Sequence, residues 1–316
     1  MKIDLIALGD PMMDVLSRCD DNILKSLNVE KGAMRLISKS EANALLAVLP
    51  DQKIMPGGSA ANSMAGIGVL GGTARFVGKL ANDDLGDAFV SDFNSIPGII
   101  FSTSRLIDLE GTAFSAILVS DDGERTMSTY LGASAHLSVE DVIEDEVQQA
   151  KVLFVEAYLW DHARTRDAAL KAINIAKASD LKVAITLSDR DCVLRHLPDL
   201  KYLIQSGDVD LVLANEHELK ALYSTHSIDD AVATAASTSS SFAVTLGAKG
   251  AVAIENGELC YVAAKRVAKI VDLVGAGDAF AAGVLLGYSR NNKLAQAAVD
   301  GCEYAARIIQ TQGARL

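Results

Sequence analysis

Along this chain, short apolar runs alternate with longer stretches whose apolar residues recur at helical spacing. That alternation predicts a mostly parallel sheet covered by helices, because a strand buried on both faces reads as an unbroken apolar run. Strands are expected over 2–8, 73–78, 152–156, 182–187, 209–214, 242–246, 251–255 and 267–271. Helices are expected over 59–70, 163–179, 216–223, about 278–289 and 294–310. One region breaks the rhythm. Residues 112–119 and 125–131 are strand-like and are joined by Ser120-Asp121-Asp122-Gly123-Glu124, the composition of a hairpin turn. With 13–19 and 33–37 they make a small second sheet. Such a sheet cannot bury both faces within itself, so one face is free to cover a site. The expected layout is a single domain over 1–316 with a small β-lid built from about 13–37 and 100–131.

Composition narrows the class. Half of the 316 residues are hydrophobic and 22% are charged, enough to bury a sizeable core and unlike a disordered chain. Lysine and arginine number 29 against 41 acids, a formal charge of −12, which argues against nucleic acid or an anionic membrane as partner. A phosphorylated ligand, which needs only local donors, stays compatible. Cys19, Cys192, Cys260 and Cys302 make no CxxC pair, and the histidines offer no zinc spacing, so a reducing cytoplasm is the expected location. The apolar run at the amino end is too short for a signal peptide, and no apolar stretch nears the ~20 residues that span a bilayer. A soluble protein is expected.

Gly66-Ile67-Gly68-Val69-Leu70-Gly71 matches GxGxxG. A dinucleotide-binding loop follows a strand and opens a helix, whereas these glycines end a helical run and precede a strand. Close helix packing and a C-terminal cap account for them better. No P-loop motif occurs. The richest segment is Asp272-Leu273-Val274-Gly275-Ala276-Gly277-Asp278-Ala279-Phe280, which opens an Ala/Gly-rich helix. Glycines there let backbone N–H groups approach a ligand, and the helix dipole adds positive potential, making an anion hole. Asp278 has two readings: an N-cap, or a carboxylate that takes a proton from an attacking hydroxyl.

Other segments fall into an order. Gly9-Asp10-Pro11-Met12-Met13-Asp14 has the form GNP-hydrophobic-hydrophobic-D with Asp10 in place of asparagine. Gly57-Gly58-Ser59-Ala60-Ala61-Asn62 fits GGxxxN, and Gly78-Lys79-Leu80-Ala81-Asn82-Asp83-Asp84-Leu85-Gly86 fits GxxxxDxxG. Asn215-Glu216-His217-Glu218 fits NxxE, and Thr245-Leu246-Gly247-Ala248-Lys249-Gly250 fits TxGxxG. The segment from Asp272 to Asp278 fits DTxGAGD with Leu273 in place of threonine. In this order and covering nearly the whole chain, these motifs resemble those of the ribokinase-like (PfkB) carbohydrate and nucleoside kinases, and among them the adenosine kinases.

The resemblance implies a three-layer α/β/α ribokinase-like fold with a small β-sheet lid. It implies transfer of the ATP γ-phosphoryl group to the 5′-hydroxyl of adenosine. The alternatives are a sugar kinase acting on ribose or a ketohexose, and a catalytically silent binding protein. Asp278 is then the general base, with the amides of Gly275, Ala276 and Gly277 holding developing charge. Asp14, Gly57, Gly58 and Asn62 hold the acceptor: the glycines turn against it, Asn62 offers its amide to a sugar hydroxyl, and Asp14 accepts from a vicinal diol. Asn215 and Glu218 are either ordinary helix-start residues or, by resemblance, organisers of phosphate and Mg2+-bound water, Glu218 being an indirect Mg2+ ligand. Thr245, Gly247 and Gly250 form the nucleotide loop, and Asp272 belongs to a K+ loop. His217 reads as a surface residue and Arg125 as structural. Tyr158 and Trp160 are either core or, with Met12 and Met13, the wall of a base pocket. The expected partners are ATP and a small molecule, adenosine or a sugar, with no nucleic acid or membrane, in a monomer or homodimer.

Overall fold

The unbroken apolar runs become strands buried on both faces. In chain order, the strands of the computed structural model begin with β1 (Ile3–Leu8), β2 (Met12–Arg18), β3 (Met34–Leu36), β4 (Lys53–Gly57), β5 (Ala74–Val77) and β6 (Ile99–Phe101). They continue with β7 (Ala113–Val119), β8 (Arg125–Tyr130), β9 (Ala150–Glu156), β10 (Lys182–Thr186) and β11 (Leu211–Asn215). The last are β12 (Ser241–Thr245), β13 (Ala251–Glu255) and β14 (Glu258–Val262). The structure describes residues 2–27, 29–32, 34–107, 110–120 and 125–316.

Nine strands form one sheet in the order β14-β13-β12-β11-β10-β9-β1-β5-β6, parallel except for β13, which is antiparallel to both neighbours. On β1, Leu5 and Ala7 enter one core while Ile6 and Leu8 enter the other, the two-residue alternation of a strand. Helices Ser59–Val69, Asp84–Ser95, Ala276–Ser289 and Leu294–Ile308 pack into the first core. Helices Ala163–Ala178, Leu197–Gln205, Glu216–Leu222 and Ile228–Ala236 pack into the second. The result is three layers. Strand order runs outward from β1 through β5 to β6, and outward again from β9 to β12, so the reversal lies between β1 and β9. A ligand crevice opens beyond the carboxyl ends of the strands at such a point. Asp10 follows β1 there, and Glu156 ends β9.

The smaller sheet has the order β3-β8-β7-β2-β4. Its strands match the expected ones with one addition. β4 was not expected because it carries Pro56 and Gly57, but a proline is tolerated on an edge strand. Asp121, Asp122, Gly123 and Glu124 of the expected turn lie outside the described residues, as do Ala33 and the Arg125 side chain. Two expectations change. β6, whose Ile100 and Phe101 open the range given to the lid, pairs parallel with β5 at the edge of the large sheet. The expected strand over 267–271 does not form. The amides of Val271 and Asp272 instead reach the Ile309 carbonyl, and the apolar side chains of Ile270 and Val271 stay exposed.

The GxGxxG glycines act in packing, as expected. A Cβ on Gly66 would lie 2.8 Å from Ala282 Cβ, and one on Gly68 would lie 2.5 Å from Ile96 Cγ2. Gly71 (φ +76°) ends the helix while the Gly72 amide donates to the Ile67 carbonyl at 2.8 Å, a Schellman closure. Among the described residues, no helix is long and apolar enough to cross a membrane.

Candidate active site

Gly275 precedes the helix Ala276–Ser289 with φ +74°, and a Cβ there would lie 2.5 Å from Ala314 Cα. Only glycine fits. At Gly277 a Cβ would meet no atom within 4 Å, so the first turn presents its backbone to open space. The amides of a helix's first turn lack intrahelical acceptors and carry the positive end of the dipole. Asp278 sits in this turn but makes no capping bond. Its carboxylate accepts from Ser59 Oγ at 2.8 Å and Asn62 Nδ2 at 2.9 Å, both on the helix Ser59–Val69. The N-cap reading is therefore set aside. Burial pushes the Asp278 carboxyl above the usual range, while the Asn62 and Ser59 hydrogen bonds and the charge of Arg315 pull it back.

Asn62, expected to offer its amide to a sugar hydroxyl, is engaged within the protein. Its Nδ2 holds Asp278, and its Oδ1 accepts from Arg315 Nε at 2.9 Å. Arg315 also donates to the Gly57 carbonyl at 3.4 Å, pairs with Asp92, and stacks over Phe93 at 5.3 Å. Arg315 belongs to none of the motifs in the sequence. Asp14, on β2, is buried, and a Cβ on Gly57 would lie 2.5 Å from its Oδ1. Gly58 (φ +89°) turns so tightly that a Cβ would lie 2.4 Å from the Asp10 carbonyl. The two glycines therefore let the small sheet, the β1 exit and the helix Ser59–Val69 converge.

Glu156, likewise outside the motifs, clamps that convergence. Only 1% exposed, it accepts the amides of Asp10 at 2.6 Å and Ala60 at 2.8 Å. Burial, the Asp10 charge and the Asp278 charge hold its carboxyl well above the ordinary range. Asp10, buried and near Asp161, is pushed up to about 7. Of the two readings of Tyr158 and Trp160, core or base wall, their packing agrees with the first. Met13 packs in the first core and Trp160 in the second, and Tyr158 packs against that second core.

Asn215 and Glu218 form a reciprocal capping box at the start of the helix Glu216–Leu222. Asn215 Oδ1 accepts the Glu218 amide at 2.9 Å, and Glu218 Oε2 accepts the Asn215 amide at 2.9 Å. This is the helix-start reading, but Glu218 also lines a cavity of about 140 Å³ together with Asp278, Ser59 and Thr245. Desolvation raises its carboxyl to about 7, the Asn215 amide opposes that, and the charges of Asp189 and Asp278 add to it. A second cleft, of about 510 Å³, is walled by Thr245, Gly247, Gly250, Ile270, Leu273 and Ile309, among others. Gly250 (φ +102°) is obligatory, since a Cβ would lie 2.0 Å from the Val262 carbonyl. Thr245, Gly277 and Phe280 line both clefts, so the first turn of the helix Ala276–Ser289 stands where the two meet. Asp272 lies outside this junction; its oxygens accept the amides of Val274 at 2.9 Å and Gly313 at 3.1 Å, clasping the loop to the end of the chain.

A helix start whose first-turn amides face the meeting of two clefts, with a carboxylate in the same turn, suits phosphoryl transfer. The family model described as pfkB family carbohydrate kinase matches residues 31–316, and the chain belongs to that family. Its fold is closely shared with the adenosine kinase from Sinorhizobium meliloti, at 40% identity and a TM-score of 0.94, over 100% of this chain and 96% of that one. A probable sugar kinase protein from Rhizobium etli CFN 42 is 39% identical with a TM-score of 0.94, over 100% of this chain and 96% of that one. Curated relatives include the 5-dehydro-2-deoxygluconokinase of Halalkalibacterium halodurans, 35% identical over 139 residues, which are 42% of this chain and 41% of that protein. The match thus spans less than half the length of that relative.

Proposed function

We propose that the protein transfers the γ-phosphoryl group of ATP to the 5′-hydroxyl of adenosine, giving AMP and ADP. The observation that carries the phosphotransfer is the junction itself, where Gly277 lines both clefts and Asp278 lies in the same turn. ATP occupies the larger cleft, where Ile270, Leu273 and Ile309 give its base an apolar wall. Its γ-phosphoryl group meets the first-turn amides, which are fixed before reaction and aimed at charge as it develops. The acceptor hydroxyl comes from the other side, and Asp278 takes its proton. That step needs the ionised carboxylate, which Ser59, Asn62 and Arg315 favour against the cost of burial. Positioning does most of the work in such a transfer.

In this reading Asp14 accepts from the ribose diol, and the small sheet is a lid that limits wasteful hydrolysis by excluding water. Glu218, whose proton affinity Asp189 and Asp278 both raise, suits a divalent cation. Glu218 and Asn215 would hold Mg2+ through water, and bound there the ion offsets phosphate charge. K+ belongs to the proposal as the cation of the Asp272 loop, and replacing it by Na+ tests that part. A cytoplasmic location is included, supported by free thiols at Cys192, Cys260 and Cys302.

The acceptor rests on the whole-chain likeness to a protein titled adenosine kinase and on the Gly9-to-Asp14 segment. A sugar acceptor is the second reading. The packing of Met13 and Trp160 within the two cores favours it, as do relatives named 5-dehydro-2-deoxygluconokinase. ADP release with adenosine, ribose and 5-dehydro-2-deoxygluconate, each with Mg·ATP, separates them. Adenosine is expected to lead in kcat/KM by on the order of 10²-fold or more, because a compact sugar lacks the buried purine. Ribose or the sugar acid turned over as efficiently overturns the nucleoside acceptor and leaves the phosphotransfer standing.

A further inference from the structure

We infer that the protein has a second small-molecule site, selective for anions, between the helices Arg190–Arg195 and Glu216–Leu222. A cleft of about 420 Å³ opens there, a volume suited to a metabolite, and it shares no lining residue with the two clefts of the active site. Arg190, His217, Lys220 and His226 bring nitrogen donors into it, and Ser224 and Thr225 bring hydroxyls. No acidic side chain lines it. Its formal charges, Arg190 and Lys220, are both cationic in a chain of net charge −12.

The donors are within an anion's reach to recruit. Arg190 pairs with Asp191 at 3.0 Å and Lys220 with Glu216 at 3.0 Å, and neither acid lines the cleft. Both Arg190 and Asp191 are more than half exposed, so their pair is weak in water and yields to a better partner. The arginine fork suits a phosphate or carboxylate held by two parallel bonds. The loop is held in place, since the Thr225 amide donates to the Lys220 carbonyl at 3.0 Å. The shared chemistry is that of a small dianion, either a phosphorylated sugar or a dicarboxylate. The site also touches the active one: His217 and Lys220 lie on the same two-turn helix as Glu218. A bound anion there restrains the element that carries the Glu218 carboxylate.

Isothermal titration of the full chain tests this, with the active site saturated by Mg·ADP and adenosine. The probes are ribose 5-phosphate, succinate and uncharged ribose. At least one anionic probe is expected to bind saturably, more weakly as salt is raised, with ribose giving no signal; whichever anion binds identifies the ligand class. The variant Arg190→Ala/Lys220→Ala is expected to bind about tenfold more weakly or worse, with kcat and Tm unchanged. His226→Ala, a milder change, gives the same direction should the double variant fold poorly. Absence of saturable binding by both anions, or equal affinity in wild type and variants, overturns the site.

Discussion

Asp278 and Glu218 are carboxylates that burial pushes the same way, and their neighbours separate them. Asp278 faces donors from Ser59 and Asn62 and the charge of Arg315, so its anion is supported. Glu218 is opposed chiefly by the Asn215 amide, while Asp189 and Asp278 reinforce the shift from 4.5 to about 7. A raised carboxyl means that the fold favours the protonated form. Its contribution to stability is full below 4.5 and is lost as pH rises through about 7, by about 3 kcal/mol at most. Glu218→Gln, which cannot ionise, is therefore expected to gain Tm relative to wild type at pH 8 and to lose that gain at pH 5, measured without Mg2+. An equal difference at both pH values contradicts a Glu218 carboxyl raised by burial.

At the scale of elements, the helix start Gly275 to Asp278 is built from two glycines with different tasks. Gly275 needs its positive φ and has Ala314 against it, so Gly275→Ala is expected to cost stability, about 1–3 kcal/mol, together with activity. Gly277 has open space at its Cβ position, so Gly277→Ala is expected to keep Tm while kcat falls, because the methyl enters the junction. Melting curves beside kcat check the pair; matching losses of Tm in both variants refute the division. The sequence was informative about elements where burial was two-sided, as on β1 and β9. It was poor at edges. β14 is exposed over four of its five residues, and β6 is three residues long, so their short apolar runs, Leu259–Val262 and Ile99–Phe101, lack two-sided burial. The false strand over 267–271 fails for the converse reason, since Val267 and Ile270 line a cleft. The GxxxxDxxG segment hid a helix start: Asp83 accepts the Gly86 amide at 2.8 Å and caps Asp84–Ser95.

At the scale of the whole molecule, the site joins segments that no local pattern connects. Motif spacing singles out Asp14 on β2 and Asn62, Glu218 and Asp278 near helix starts, because glycines or caps beside each leave a mark in the sequence. Arg315 and Glu156 left none; Arg315 meets Asn62 across 253 positions, and Glu156 meets Asp10 across 146. Arg315 lowers the proton affinity of Asp278, so Arg315→Ala is expected to move the acid limb of the kcat/KM profile to higher pH. A variant that loses rate with an unmoved limb assigns Arg315 to packing alone. Asp278 carries the proposed proton transfer, and the kcat of Asp278→Asn at saturating Mg·ATP and acceptor tests it most directly. A fall of ~10²–10⁴-fold is expected, with Tm and the KM for ATP near those of wild type. A kcat close to wild type would contradict a general base at Asp278.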